Sequence, residues 1–422
     1  MQCLGICSLA QEARETKYLV PKLVQRIDYL THEGWNMYEH KLQALRRTKN
    51  KSFIAHMQAI SMLSKYILSA GIYGITITGL TLYVTVNDFD LDNLAVLLLT
   101  FGQSFLVLYA IQWFYCRLEL SLDAVIKLFA AGFVLAVPTA YLIQGLIQTF
   151  IVLVVGVFYL ILQSFKLTSV LDNHAYTLSI IGELVTAYII AAVTEELTKY
   201  LVYRSIEHPD LMLKEDWRDE NDEEHNTDTG QSDGSSLASF NDGGSSIGVT
   251  TSRLVAADAR TIPSRGRSIT CAMVCVAVGL ACAENVVYVY FAGGSQVQDE
   301  IIVLICRSLF PIHALCAAMQ SVGVVKRDVE LQRGFHIGKI ILPAIILHGT
   351  FDAILMIMSL AEESDNEDNL EISLSDLVAC FGIFVCLFVG IGWYYNESKW
   401  QRVRLEEMQQ REDELVAGYI GG

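Results

Sequence analysis

Two glutamates and a lysine stand within five residues, Glu195-Glu196-Leu-Thr-Lys199, in a stretch otherwise apolar enough to cross a membrane. A charged side chain deep in hydrocarbon costs about 2.5–3.5 kcal/mol on insertion scales, so each one inside a span needs a chemical or pairing reason. On a helix Glu195 and Lys199 share a face at i,i+4, with Glu196 offset by one residue. Mutual neutralisation of Glu195 and Lys199 near a helix end is the bland explanation; water activation is the chemical one. Three further apolar runs carry comparable groups. Glu284 and Tyr288 stand one turn apart, and no base in their own run can pair with Glu284, so its partner must come from another helix, from water or from a metal. Arg307, Pro311, His313 and Gln320 occupy the next run. A lone histidine on an apolar helix is more often a packing residue than a ligand. In the last, His348 and Asp352 lie at i,i+4, a spacing that lets two side chains converge on one ion or one water.

Depth decides whether these groups make one site. At 1.5 Å per residue, Glu195, Glu284, His313, His348 and Asp352 fall about 12–23 Å from the cytoplasmic ends of their spans. They share one broad layer, which scattered structural polar groups would not. Two histidines with several carboxylates can hold zinc while leaving a position for water, or can polarise that water directly.

The elements that must position this layer are membrane spans. Of 422 residues 53% are apolar and 18% charged, and the mean hydropathy is +0.39, too high for a soluble domain. The pattern predicts an all-α polytopic membrane protein with about eight spans, near 66–86, 94–115, 124–166, 178–203, 269–292, 299–324, 337–360 and 375–395. The stretch 124–166 is too long for one straight crossing and is broken by Pro138 and Gln144-Gly145, which predicts a kinked span with an additional re-entrant or interfacial piece. Basic flanks at 1–59, 260–267 and 325–336 and base-free loops at 293–298 and 361–374 place both termini in the cytoplasm.

The net charge of −16 is concentrated rather than global: residues 207–250 hold twelve acids and two bases, and residues 361–377 seven acids and no base. The predicted organisation is a cytoplasmic helical region (1–59), a first membrane half (60–206), an acidic disordered linker (207–266), a second half (267–396) and a solvated helical tail (397–422). Nucleic acid is a poor partner for such a chain. Of ten cysteines, seven (Cys271, Cys275, Cys282, Cys306, Cys316, Cys380, Cys386) lie in apolar runs and read as small packing residues. Cys3 and Cys7 read as tail thiols, and no cleavable leader is visible in the first ten residues.

In this order the four motifs resemble the PrsW-type intramembrane proteases, distant relatives of the CAAX prenyl-protease superfamily. The family's EExxK is similar to Glu195-Glu196-Leu-Thr-Lys199, and its ExxxY to Glu284 through Tyr288. Arg307 with Pro311 and His313-Ala-Leu315 resembles its third element, and His348-Gly349-Thr-Phe-Asp352 its HGxxD. Each motif alone is weak; four in order over residues 60–360 are specific. The acidic linker reads as an insertion, and Ala283 stands where an aromatic residue is common.

The resemblance implies hydrolysis of a peptide bond in a membrane-anchored protein, in or near the bilayer. It implies Glu195 or Glu196 as general base, Glu284, His313 and His348 orienting water or binding metal, and Asp352 supporting His348. Lys199 or Arg307 would balance charge, with Tyr288 completing its motif. Relatives are described both as metalloproteases and as glutamate proteases, and the two histidines favour zinc. Two rival readings use the same polar layer: a non-proteolytic scaffold subunit, known in the same superfamily, and a transporter, for which inverted repeats are expected and none is seen. The linker fits an endomembrane location.

Overall fold

A computed structural model describes residues 60–85, 91–115, 119–165, 174–206, 261–289, 301, 304–305, 307–308, 310–364 and 374–420. The expectations for 1–59, for Cys3, Cys7 and Cys306, for most of the acidic linker and for the loops near 293–298 and 365–373 lie outside these residues. Every regular element among the described residues is helical, as the composition predicts. We number them α1 (Met62–Thr85), α2 (Leu91–Ala110, continued by a π turn Ile111–Tyr115) and α3 (Leu122–Ala131, a π segment Gly132–Ala136, then Val137–Ser164). There follow α4 (Ala175–Val185, π segment Thr186–Ala192, then Val193–Ser205), α5 (Ile262–Val287), α6 (Ile312–Asp328), α7 (Ile337–Ser364) and α8 (Leu374–Ile420).

Among the described residues six helices are long and apolar enough to cross a bilayer: Leu91–Tyr115, Leu122–Ile161, Ala175–Ser205, Ile262–Val287, Ile337–Leu360 and Leu377–Glu414. The chain is thus an integral, multi-pass membrane protein. The run expected at 66–86 is helical as α1 but is not one of the six, and in the run expected at 299–324 the continuous helix α6 has 17 residues, short of the roughly 20 a crossing needs.

The stretch 124–166 shows no reversal. It is one helical run, and its 40 residues from Leu122 to Ile161, most of them apolar, reach about 60 Å, twice the hydrocarbon thickness. Pro138 lacks the N–H for an α-helical bond, and the irregularity it imposes is taken up by the π segment just before it, not by a turn back into the membrane. Likewise α8 continues unbroken through Glu397, so the tail is the end of the last helix; Gln409 and Gln410 there bond Asp413 and Glu414 one turn on, the expected pattern of a solvated helix.

The chain divides into two compact units, Ile54–Glu207 with Arg265–Val403, and Met1–Phe53 with His208–Ser264 and Arg404–Gly422. All the polar span residues belong to the first. Within it, small residues set the helix crossings. A Cβ on Gly132 of α3 would lie 2.0 Å from the Val276 carbonyl oxygen of α5, and one on Gly279 would lie 2.1 Å from that of Phe129. The two backbones touch reciprocally, which is the close approach that glycines permit in lipid. On the other side Ile312, Cys316 and Met319 of α6, Ala344, Leu347 and Phe351 of α7, and Ile383, Cys386 and Leu387 of α8 interlock at helical spacing. Cys275, Cys282, Cys316 and Cys386 are free and buried, as packing residues should be, whereas Cys271 is disulfide-bonded and departs from that reading.

Candidate active site

α4 changes pitch as it reaches the polar motif. Its π segment Thr186–Ala192 hands over to an α-helical turn that begins at Val193, and Glu195 and Glu196 follow about 100° apart on the helix. That angle gives two neighbouring carboxylates opposite surroundings. Glu196 is fully buried and saturated: its Oε1 accepts from Lys199 Nζ at 2.5 Å and from His348 Nδ1 at 2.7 Å, and its Oε2 from Gln320 Nε2 at 2.7 Å. Gln320 also donates to the Glu196 main-chain oxygen at 3.1 Å, tying α6 to α4. Lys199 therefore pairs with Glu196 at i,i+3, not with Glu195 at i,i+4 as the spacing suggests.

Glu195 is buried but incompletely satisfied. Gln144 of α3 donates to its Oε1 at 3.2 Å. Its Oε2 has no hydrogen-bond partner among the described residues and lies 3.7 Å from His313 Nδ1 and 3.6 Å from His348 Nε2. The two imidazoles meet edge to face with centroids 5.0 Å apart.

Proton positions on both rings follow from their partners. An ammonium can only donate, so His313 Nδ1 accepts from Lys199 Nζ at 3.0 Å, and Nε2 carries the hydrogen that goes to Glu284 Oε2 at 2.9 Å. His348 gives its Nδ1 hydrogen to Glu196, which leaves Nε2 facing Glu195 and, at 3.4 Å, Asp352 Oδ2. Glu284 does find its partner on another element, as expected: Arg307 donates to it at 3.2 Å, bonds Asn285 Oδ1 at 2.5 Å and lies 4.2 Å over the Tyr288 ring. Glycine is required in the last motif because a Cβ on Gly349 would lie 2.3 Å from the ring of Tyr188, whose hydroxyl meets Thr350 at 2.8 Å.

All nine residues singled out in the sequence thus fall in one connected cluster. The resemblance implied Glu284, His313 and His348 as the metal set. The group whose ligand atoms all lie within 4.8 Å of one another is Glu195, His313 and His348, while Glu284 holds the other nitrogen of the His313 ring. This trio fits a divalent ion: an orphaned carboxylate oxygen faces two imidazoles, and each imidazole is oriented by a carboxylate on its opposite nitrogen, the usual outer shell of a metal-binding histidine. Lys199 is the opposing feature, since ligation through His313 Nδ1 requires its ammonium to move off that lone pair onto Glu196. Sequence reading gave no role to Gln144, Gln320 or Tyr188. Their signal was present in the first two, amides inside apolar runs, but their partners are 51 and 124 residues away.

The buried pair makes a measurable claim. Lys199→Met is expected to destabilise the protein by about 3 kcal/mol, because Glu196 keeps its charge without its cation, and Lys199→Met/Glu196→Gln to recover part of that loss. Unfolding midpoints of the two variants in detergent micelles measure it; equal midpoints would show that the pair is not coupled.

What the fold and the cluster define is a helical membrane protein with a carboxylate-imidazole centre enclosed among its spans. Residues 253–398 match the model of the PrsW family intramembrane metalloprotease, which bears out the PrsW-type resemblance over the second membrane half and supports a membrane endopeptidase acting on protein substrates. The match begins after the first motif, yet the structure packs Glu195, Glu196 and Lys199 against the histidines inside it. Comparison with curated proteins and with solved structures gives no match.

Proposed function

We propose that this chain hydrolyses a peptide bond of a membrane-anchored protein at the level of the Glu195, His313 and His348 cluster, with Glu195 as the carboxylate that activates water. One observation carries the choice: the buried Glu195 Oε2 that faces both imidazoles without a hydrogen-bond partner. Glu196, the other candidate base, has both oxygens committed to donors and acts through His348.

In this reading Glu195 takes a proton from water as its oxygen attacks the scissile carbonyl carbon, and the carboxylic acid so formed returns the proton to the amine as the C–N bond breaks. His348 and His313 border the reacting oxygen. Glu196 and Glu284 fix the two rings, Arg307 and Tyr288 hold Glu284, Lys199 balances the carboxylate charge, and Asp352 supports His348. A zinc ion held by Glu195, His313 and His348 would supply a Lewis acid for the carbonyl oxygen and a more acidic water, with Glu195 then serving as ligand.

Purified protein in proteoliposomes is expected to cleave a quenched fluorescent casein, and His348→Ala and His313→Ala to lose that cleavage. Zinc analysis of the same preparations separates the two roles of Glu195: about one ion in the parent and much less in either variant makes it a ligand, and an active, zinc-free parent makes it the base. Cleavage at the parent rate by both variants would sink the hydrolytic reading. A parent that cleaves nothing, with variants that lose an assembled partner complex, would favour the scaffold.

A further inference from the structure

The reading above leaves unexplained why a glutamine stands in α3. The helix from Val137 to Ser164 is mostly apolar but carries three glutamines: Gln148 and Gln163 are exposed, whereas Gln144 is half-buried although Leu142, Leu146 and Phe150 around it are exposed on the outer surface. An amide facing hydrocarbon is unfavourable unless a partner takes its hydrogens. The partner here is Glu195 Oε1, at 3.2 Å.

We propose that Gln144 is the positioning residue of Glu195, a role that rests on the hydrolytic reading but is tested apart from it. The carboxylate offers only acceptors, so the amide must present its NH2 to Oε1. That single bond fixes the rotation of the carboxylate plane and aims the remaining oxygen between His313 Nδ1 and His348 Nε2, where no protein donor reaches it. A neutral amide suits the task, because a lysine or arginine at the same place would form an ion pair with the carboxylate and engage it as a structural anion. The other elements around Glu195 cannot supply this contact: Lys199 and Gln320 are spent on Glu196, and Arg307 on Glu284 and Asn285. Gln144 Oε1, in turn, makes no hydrogen bond among the described residues, so the amide is held by the carboxylate alone.

Gln144 lies outside all four motifs and outside the stretch that matches the family model. It reaches the centre from a helix whose apolar residues predominantly face outward. A residue there that only stabilised the fold would lower the melting temperature when lost, whereas a leucine on this surface is compatible with lipid.

The test compares the full-length parent with Gln144→Leu and Gln144→Asn. Infrared difference spectra, taken for each against its own Glu195→Gln derivative, isolate the Glu195 carboxylate band without need of substrate or metal. Gln144→Leu is expected to shift that band, to keep the melting temperature of the parent, and to lower the turnover of quenched fluorescent casein about 10- to 100-fold with KM within about twofold. Gln144→Asn, whose amide is one methylene shorter, is expected to fall between them. An unshifted carboxylate band overturns the proposal, and so does a lowered melting temperature that accounts for the whole loss of turnover. If the parent cleaves no casein, the hydrolytic reading fails, and the band shift alone decides the positioning of Glu195.

Discussion

Glu195→Gln is expected to lower peptide-bond hydrolysis by about 10²- to 10⁴-fold, the range for loss of a positioned general base, while leaving the melting temperature near that of the parent. The substitution keeps the shape of the side chain. Its only hydrogen bond, from Gln144, can be rebuilt by a rotation of either amide. Among the described residues no lysine or arginine pairs with Glu195, so no such charge is stranded. The adjacent change, Glu196→Gln, should behave in the opposite sense. It removes the counter-charge of Lys199, which is 1% exposed, and places an amide hydrogen against donors from Lys199, His348 or Gln320. Loss of stability by about 3 kcal/mol is expected there before any catalytic effect can be read. Melting curves and casein turnover on the two variants side by side measure both statements. If Glu196→Gln is inactive yet fully stable while Glu195→Gln turns over normally, the roles of the two carboxylates are reversed.

Gly279→Ala is expected to be, with Gly132→Ala, among the most damaging single-methyl additions at the described glycines. The new Cβ would stand 2.1 Å from the Phe129 carbonyl oxygen, and the opposing Gly132 already lies against Val276, so neither backbone can yield without separating α3 from α5. Overpacking of a well-packed core costs about 1–3 kcal/mol, and contact with main chain belongs at or above the upper end of that range. Gly156→Ala serves as the control. No atom lies within 4 Å of its added Cβ, and exchange of a helical glycine for alanine is worth about 0.5–1 kcal/mol in favour of the helix. Yield of monodisperse protein and the midpoint of thermal unfolding compare the pair; equal behaviour would show that α3 and α5 do not touch as described.

Hydrophobic run length made the helices legible, because about 20 apolar residues have few soluble alternatives. It did not fix the number of crossings. Length alone does not tell that 40 residues of α3 continue through Pro138 by way of a π segment. The polar residues were legible for a related reason: Glu195, Glu284, His313 and His348 each stand out against an apolar background where a charge is costly. Their pairings were not. Spacing along one helix suggested Glu195 with Lys199, but a lysine that can reach either of two successive turns chooses by what else is present, and His348 and Gln320 arrive from α7 and α6 to complete the shell around Glu196.

Sequence by itself determined that this is a multi-pass helical membrane protein, which polar residues stand out against its apolar runs, and that those residues resemble an intramembrane protease centre, since composition and position along a helix are local quantities. Only the tertiary structure decided which carboxylate is saturated and which is left open, that Glu195 rather than Glu284 completes the trio with the histidines, and that Gln144 reaches across from α3. Those outcomes depend on the rotation of each helix about its own axis, which is set by glycine contacts such as Gly132 with Val276 and Gly349 with Tyr188, and no single helix carries that information.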